Sequence, residues 1–506
     1  MTVTTASEVV IEASRLFDFI RTPAGEPYAL PKDGNRRHVA LTLDQAATHI
    51  AAVFFRVENH DIPTQQTMAS ALAVLSALTV DAEIRDVDLR LARIDNVSYL
   101  DLGTPSGEYV EIRPTGWAVR DPRKHPCPAT FVRTATTNAL PVPVPAEDGR
   151  ADLARLLALS TEDNRFRVAW AWLTAQVLPT TARPMLYLLG SQGSGKTTRG
   201  LLLANVLEPQ DELGAVLKKS ERENNPVAKA SFILTADNMT KMSEDVSNWL
   251  CSLVTGLRVQ ERKLYTNAET IAYSLKRTGL FTGKIKPAGL ESDAEERMIF
   301  LEFERMTTGI RADDDLLAEF RTLHSGILAA LLDDMVAALM RLPLVDAADV
   351  RAYRFVNFGK VFVALDRHYG LDPDAGHLAA AIAAATDQQT ERVHDAPDLV
   401  AVMRVVASEG GKWEGSAAAL LAAMGRWAPE DAGRQSGPWW PSSAAQLGTR
   451  LRNQQHALSL AGLRIEFVKS NGRRRIEASM SPADARAVLA PETRADIEII
   501  NLGGKK

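Results

Sequence analysis

One glycine-rich stretch constrains the fold of this chain more than any other: "MLYLLGSQGSGKTTRG", residues 185–200. Gly190, Gly195, Lys196 and Thr197 fit the pattern G-x-x-x-x-G-K-[ST], between an apolar run that predicts a buried strand and a run that predicts a helix. Backbone N–H groups of such a loop surround a phosphate at the helix N-terminus, where the helix dipole favours an anion. The alternative, a glycine-rich turn without a ligand, does not require the complete pattern. The stretch therefore predicts a nucleoside triphosphate site in a parallel α/β core.

Each loop residue has a predicted role. Lys196 would reach the β- and γ-phosphates, and the Thr197 hydroxyl would hold Mg²⁺. The other predicted phosphate contacts are Gly190, Ser191, Gly193, Ser194, Gly195 and Thr198. The predicted cofactors are ATP and Mg²⁺.

A second stretch, "ASFILTADN", predicts an acidic strand end. We interpret Asp237 as the Walker-B carboxylate and a second Mg²⁺ ligand; the alternative is an ordinary aspartate at the end of a strand. Asn238 stands where many related hydrolases carry glutamate, and an amide can orient a water but cannot accept its proton. The general base would then lie elsewhere, at Glu244 for example, or turnover would be slow.

The segment "TGLRVQERKLYTNAETIAYSLKRTGLFTG" predicts a hairpin, because two β-rich runs flank "TNAE". Its basic residues fit either a solvated edge hairpin or a pore hairpin that grips single-stranded DNA. The predicted DNA contacts here are Arg258, Arg262 and Lys263, and Lys276 and Arg277 lie further along the same segment.

Two further residues are candidates for catalysis. Thr282 ends the apolar run "LFTG", which places it near the γ-phosphate if that run is a central strand. Arg297 follows an acidic cluster and begins another apolar run. An isolated arginine there is commonly an ion-pair residue, but in a ring ATPase it would reach the γ-phosphate of the neighbouring subunit as an arginine finger.

Taken in order, Gly190–Thr197, "ILTADN", "ERKLYT" and "LESDAEERMIFLEF" resemble the helicase-like ATPases of actinobacterial phages and integrated elements. These are relatives of the superfamily-3 and poxvirus-type primase-helicases within the AAA+ class. The resemblance implies a P-loop AAA+ core that forms a ring, a hexamer, with each ATP site shared between two subunits. In that family the Walker-B strand often ends in Asp-Asn, as Asp237-Asn238 does here. Thr282 departs from the family's usual asparagine, which bears on the rate of hydrolysis more than on nucleotide binding.

The C-terminal region predicts a winged helix. Three helical patterns precede two strand patterns around Asn471-Gly472, a strong hairpin signal. From Trp440 to Met480 the chain has seven basic and two acidic residues, which predicts a surface for duplex DNA, although a winged helix used for protein contact is the alternative. Gln446, Thr449 and Arg450 are the candidate base readers. The predicted DNA contacts are Arg450, Arg452, Lys469, Arg473, Arg474 and Arg475.

Composition limits the partners and the compartment. The formal net charge of the 506 residues is −5, so any nucleic-acid contact must come from a local patch. Cys127 and Cys251 lie far apart, which predicts free thiols and no zinc site. The start lacks a signal-peptide pattern, and no apolar run approaches the ~20 residues of a membrane span. We therefore expect a cytoplasmic protein without a membrane partner.

The predicted fold class is α/β multidomain, with an α+β N-terminal domain, a P-loop AAA+ core, a helical lid and a winged helix. We expect the N-terminal domain to dock a replication partner or form a collar. The predicted boundaries are 1–145 for the N-terminal domain, 146–310 for the ATPase core with leading helices at 150–180, 311–385 for the lid, 386–397 for a linker, 398–480 for the winged helix and 481–506 for a tail.

The resemblance favours an ATP-driven DNA translocase, a replicative helicase of a phage or mobile element. The alternative is a nucleotide-switched DNA-binding regulator or initiator with weak ATPase activity and no unwinding, which Thr282 and Asn238 favour. A small-molecule kinase is a third possibility, but the predicted winged helix and the long helical segment argue against it.

Overall fold

A computed structural model of the chain describes residues 5–57, 62–214, 217–262, 270–307, 309, 311–350, 353–394, 396–429, 432, 439–470 and 473–490. It divides into two compact units, residues 1–382 and 383–506. The predicted boundaries at 145/146 and 310/311 fall inside the first unit, and the one at 385/386 lies three residues from the division. None of the helices in the described ranges is both long enough and apolar enough to cross a bilayer.

The first part of unit 1 has three helices and two small sheets. The presence of both helices and strands agrees with the α+β character predicted for this region. The sheets have the strand orders β4-β1-β2-β3-β9 and β5-β6-β7-β8. The elements are α1 Ala6–Leu16, β1 Phe17–Arg21, β2 Pro27–Pro31, β3 Val39–Thr42, α2 Leu43–Val57, α3 Gln65–Leu78, β4 Glu83–Ile84, β5 Leu91–Ile94, β6 Val97–Asp101, β7 Tyr109–Arg113, β8 Gly116–Arg120 and β9 Phe131–Val132.

A parallel four-stranded sheet follows, in the order β11-β14-β10-β15. The predicted hairpin is present as the antiparallel pair β12-β13. The leading helices predicted at 150–180 are present, and Ala158, whose backbone is left-handed with φ 52°, lies between them. The elements are α4 Gly149–Leu156, α5 Asn164–Thr174, β10 Met185–Gly190, α6 Lys196–Asn205, α7 Glu221–Ala230, β11 Ile233–Ala236, α8 Glu244–Thr255, β12 Leu257–Arg262, β13 Thr270–Leu275, β14 Thr278–Gly283, α9 Ser292–Glu295 and β15 Met298–Phe303.

The parallel sheet lies in the core of unit 1, as the burial of its strands shows. Every residue of β10 is buried, as expected for a parallel strand covered on both faces. The α5 tryptophans pack beside it: Trp172 Nε1 donates to the Pro184 carbonyl at 2.9 Å, just before β10, and Trp170 Nε1 donates to Asp334 at 2.5 Å. The helices that complete unit 1 are α10 Asp313–Arg341 and α11 Val356–Tyr369, and α12 His377–His394 runs across the division between the units.

Unit 2 combines short helices with a three-stranded antiparallel sheet of order β16-β18-β17. The predicted hairpin is confirmed by β17 and β18. Two stretches are more helical than the sequence indicated: α12 continues to His394 through most of the predicted linker 386–397, and the predicted tail begins with a helix capped by the Ser481 side chain. The elements are α13 Pro397–Ser408, β16 Lys412–Gly415, α14 Ala417–Met424, α15 Ala444–Asn453, α16 Gln455–Leu460, β17 Leu463–Ser470, β18 Arg473–Met480 and α17 Pro482–Leu489.

Candidate functional site

The glycine-rich loop joins β10 to α6, which is the predicted strand–loop–helix order. Gly193 and Gly195 adopt φ of 83° and 68°, a region that residues with a side chain rarely occupy. At Gly190 the restriction is space: a Cβ would collide with the Ser194 hydroxyl and lie 2.6 Å from the Phe303 carbonyl. These three glycines give the loop its path around the N-terminus of α6.

Residues outside the motif hold the loop in place. The Arg199 guanidinium donates to the Leu157 carbonyl at 2.7 Å and to the Ser194 carbonyl, and it stacks over the Phe303 ring. Burial lowers the pKa of Arg199. The Met306 N–H donates to the Gly193 carbonyl at 3.2 Å. Sequence reasoning missed both contacts, because their partners lie on segments far from the motif.

Asp237 lies beside this loop, one residue after β11. The Thr197 hydroxyl donates to Asp237 Oδ1 at 3.0 Å, and the Thr282 hydroxyl also donates to Oδ1. The Thr282 oxygen in turn accepts the Asn238 N–H at 2.9 Å. Asn238 has φ 52°, a conformation that asparagine tolerates better than most residues. We call this set, Gly190–Thr198 with Asp237, Asn238 and Thr282, the loop site.

The sheet order explains why these residues meet. Strand β14 lies between β10 and β11, and its Thr282 is in register with Leu188 of β10. The carboxyl ends of all three strands therefore share one edge, at the N-terminus of α6. Thr282 is fully buried, so the structure places it as a support for Asp237 and Asn238. Glu244, the alternative base, is exposed at the start of α8.

The donor set of the loop site fits Mg²⁺. A hydroxyl and a carboxylate oxygen lie 3.0 Å apart, and both are the hard oxygen ligands that this ion prefers. Across the described parts of the chain, no group of three or more His, Cys, Asp and Glu residues could hold a metal ion. A Mg²⁺ ion at Thr197 and Asp237 would thus take its other ligands from phosphate oxygens and water, as Mg²⁺ commonly does.

A cavity of about 550 Å³ opens next to the loop. Three segments of the chain form it: the end of α4, the loop with the first turns of α6, and the region that leads from β15 into α10. Its lining includes Lys196 and Thr197, so it is continuous with the loop site.

Arg297 lies at the opposite edge of the sheet. It precedes β15, whose first residue, Met298, pairs with Met185 at the start of β10, whereas Phe303 pairs with Gly190 at the loop end. Six residues at ~3.3 Å each put Arg297 ~20 Å from the loop of its own chain. Its guanidinium donates to the Asp293 carbonyl at 2.6 Å and also pairs with the Asp293 carboxylate.

The neighbours that Arg297 has elsewhere in the chain carry no motif in the sequence. Arg354, far away in the chain, pairs with the same Asp293 carboxylate at 3.1 Å and with Glu296. Burial raises the pKa of the nearby Cys251 thiol to about 11. Asp293 thus anchors two arginines at one edge of the sheet, and no local pattern in the sequence indicates the second one.

The hairpin residues have different surroundings. Arg258 is exposed on β12. Lys276 donates to the Thr180 carbonyl at 2.9 Å, and the half-buried Arg277 donates to the Ala228 carbonyl at 3.0 Å. Both of these therefore support the core. The Arg262 side chain and all of Lys263 lie outside the described residues.

Several basic residues of unit 2 bind partners within the unit. Arg450 pairs with the buried Asp398 at 3.1 Å and stacks on Trp439, and Arg452 stacks on Phe467. Arg475 pairs with Glu414. The sequence count from Trp440 onward left out both Asp398 and Glu414. The side chains of Lys469, Arg473 and Arg474 lie outside the described residues.

The other candidate base readers lie on α15. Thr449 is exposed, whereas Gln446 accepts from both the N–H and the hydroxyl of Ser442, each at 2.9 Å. The Ser443 side chain caps α15 by accepting the Gln446 N–H at 3.3 Å, and the Gln446 side chain is engaged by Ser442 just before the helix.

The nearby sheet face also carries negative charge. The strand register places Glu414 opposite Glu477 and Glu477 opposite Glu466, which makes a row of three glutamates across β16, β18 and β17. Glu466 and Glu477 were already part of the sequence count, so Glu414 is the one negative charge that the row adds to it.

Fold and site together define a multidomain α/β protein with a glycine-rich loop at the edge of a parallel sheet. Two family models match the chain: "Actinomycete integrative conjugative element replication protein" over residues 151–390, and "AICE RepA C-terminal domain" over residues 399–491. Together they match well over half of the chain. The chain belongs to this family of mobile-element replication proteins, which confirms the resemblance that the motifs indicated.

Solved structures resemble the chain over most of its length but only distantly. The C-terminal region of NrS-1 aligns with 11% identity and a TM-score of 0.38, covering 93% of this chain and 97% of that one. Cch of SCCmec type IV, described as an active helicase, aligns with 12% identity and a TM-score of 0.42, covering 94% and 95%. JCV helicase aligns with 15% identity and a TM-score of 0.22, covering 45% and 75%. No curated protein matches the chain.

Proposed function

We propose that this replication protein is a ring-forming, ATP-driven DNA translocase, a replicative helicase of an integrative conjugative element. The observation that carries the proposal is the loop site, where Thr197, Asp237 and Thr282 form a chain of hydrogen bonds beside the lysine of a glycine-rich loop. In this arrangement the loop would bind phosphate and the Asp237 carboxylate would bind a cation. The hydrogen bonds would hold the loop and the carboxylate in fixed positions relative to each other. Phosphoryl transfer depends mainly on such positioning and electrostatic stabilisation.

In the proposed mechanism the N–H groups of the loop and Lys196 bind the β- and γ-phosphates of ATP. Bound Mg²⁺ would neutralise charge on the phosphate oxygens. Thr282 fixes the Asp237 carboxylate and the Asn238 backbone through its two hydrogen bonds. Asn238 orients the attacking water, and the proton of that water passes to a base outside the loop site or to solvent. Thr282 is thus a positioning residue.

Arg297 acts on a second copy of the chain. Its ~20 Å separation from the loop of its own chain excludes a role within one copy. In a closed ring, the edge of the sheet that carries Arg297 would face the loop site of the neighbouring subunit. Arg297 would have to leave Asp293 in order to contact the γ-phosphate, where an arginine stabilises the charge of the transition state.

DNA is the proposed partner at two places. The β12-β13 hairpin would contact single-stranded DNA in the ring through Arg258 and Arg262 of β12 and through Lys263, the next residue in the sequence. Unit 2 fits a winged helix, with its three-stranded sheet and the α13–α15 helices, and would bind duplex DNA through Lys469, Arg473 and Arg474. The first part of unit 1 is proposed to dock a replication partner.

A nucleotide-switched DNA-binding regulator is the second candidate. It is favoured by the buried position of Thr282 and by the amide of Asn238 where a base is usual. An unwinding assay separates the two: the protein is added to a forked duplex with ATP, and the release of one strand is followed. The translocase releases strand in proportion to ATP consumed, and Lys196→Ala does not. Nucleotide-dependent DNA binding without strand release would overturn the proposal in favour of the regulator.

A further inference from the structure

The cavity beside the loop is larger than a triphosphate on the loop requires. A triphosphate bound along Gly190–Thr198 leaves its sugar and base to occupy the neighbouring space. The volume of about 550 Å³ suits the rest of a nucleotide. Buried Leu156 and Leu202 and half-buried Leu316 supply apolar surface in the lining, which suits the flat face of a base.

Away from Lys196 and Arg199, the cavity lining has three charged residues, Arg155, Arg311 and Asp313. Arg155 and Arg311 both pair with Glu319, each at 2.6 Å, so their guanidinium groups are held by a carboxylate. Asp313 instead accepts a hydrogen bond from a neutral group, the Thr198 hydroxyl, at 2.6 Å. Its carboxylate is exposed and belongs to the cavity wall.

The position of Asp313 indicates which part of a nucleotide it would contact. Thr198 is the last residue of the loop segment Gly190–Thr198, so the bond to Thr198 places Asp313 at that end of the loop, in the wall of the cavity. An ionised carboxylate only accepts hydrogen bonds and repels phosphate. The groups of a nucleotide that donate at this distance from the phosphates are the hydroxyls of its sugar.

We propose that this cavity binds the nucleoside of the triphosphate and that Asp313 accepts hydrogen bonds from the 2′- and 3′-hydroxyls of ribose. The inference rests on the proposed nucleotide site and adds a substrate class: ribonucleoside triphosphates in preference to 2′-deoxyribonucleoside triphosphates. The preference follows because a deoxynucleotide leaves the carboxylate without one of its two donors.

Calorimetric titration of the full chain with ATP, 2′-deoxy-ATP and 3′-deoxy-ATP tests the proposal. We expect ATP to bind about tenfold more tightly than 2′-deoxy-ATP, as for one hydrogen bond to a charged group. Asp313→Ala should reduce that ratio below about twofold, and Asp313→Asn, which keeps the size of the side chain, should reduce it in the same direction. Asp315→Ala is the matched control, because it lies in the same first turn of α10 but outside the cavity lining.

The outcomes separate this inference from the function on which it rests. ATP binding with the same ratio of ATP to 2′-deoxy-ATP affinity in Asp313→Ala and in the unaltered protein would show that Asp313 does not contact the sugar. The proposed nucleotide site would be unaffected by that result. If none of the three nucleotides binds the unaltered protein, both proposals fall. A ratio that falls equally in Asp315→Ala would also overturn the specific role of Asp313.

Discussion

The loop site and the basic residues of unit 2 were both predicted from short stretches of sequence. The structure brings the predicted residues of the loop site together, whereas several of the basic residues of unit 2 are already paired with acidic or aromatic side chains. In the loop site, Asp237 and Thr282 come from separate strands and converge on Thr197, as their order in the chain suggested. In unit 2, Arg450 and Arg475 bind acidic residues that the sequence count did not include. A motif that requires a particular backbone conformation also predicts where its side chains lie. A count of charged residues does not predict which of them form ion pairs within the protein.

The largest effect is expected at Lys196. Lys196→Ala removes the cation beside the β- and γ-phosphates, and we expect ATP turnover to fall by at least about 1,000-fold. Phosphate release at saturating ATP measures it. Lys219→Ala, an exposed lysine before α7, is the control and should retain full turnover. Unchanged turnover in Lys196→Ala would remove the basis of the ATPase assignment.

Substitution of Arg297 tests whether this residue of one subunit acts at the loop site of a neighbouring subunit. Arg297→Ala should reduce turnover by about 1,000-fold while nucleotide binding persists, because an arginine finger acts on the transition state. Mixed with Lys196→Ala, it should recover part of the activity, since a mixed ring contains some sites with an intact lysine and an intact arginine. A mixture as inactive as its parts would argue against a role in trans. Arg222→Ala, exposed on α7, is the control.

Substitution of Thr282 tests whether its hydroxyl positions Asp237 and Asn238 in the loop site. Thr282→Val keeps the shape of the side chain but removes both hydrogen bonds, to Asp237 and from Asn238. Because misplaced catalytic groups cost up to about 100-fold, we expect kcat to fall by about 10- to 100-fold with little change in nucleotide affinity. Thr282→Ser keeps the hydroxyl and should recover most of the rate. Equal rates in the valine and serine variants would show that the hydroxyl does not position the site.

The smallest effect on activity is expected in unit 2, where substitution of Arg450 and substitution of Lys469, Arg473 and Arg474 should have different consequences. Arg450→Ala leaves the buried Asp398 carboxylate without its partner, so it should lower the free energy of unfolding by about 1–3 kcal/mol, measured by chemical denaturation. Replacing Lys469, Arg473 and Arg474 with alanine should leave stability unchanged, weaken duplex binding and reduce its salt dependence. DNA binding that depends on Arg450 alone, at full stability, would reverse this assignment.

Much of the architecture follows from the sequence. The positions of β10, α6 and the β17-β18 hairpin follow from apolar runs and turn residues, which act locally. The continuation of α12 to His394 was missed because a polar run resembles a linker whether or not it is helical. The contacts of Arg199 with Leu157 and of Arg354 with Asp293 join distant segments, and a single sequence holds no local signal for them.

The proposed DNA translocase is best tested by measuring ATP turnover with and without single-stranded DNA, together with the native mass of the ATP-bound protein. We expect that DNA stimulates turnover and that the active species has the mass of a closed ring. DNA-independent, barely detectable turnover by a monomer or dimer would contradict it. The loop site would then be a nucleotide switch, and Thr282 and Asn238 would be the residues that distinguish it from a motor.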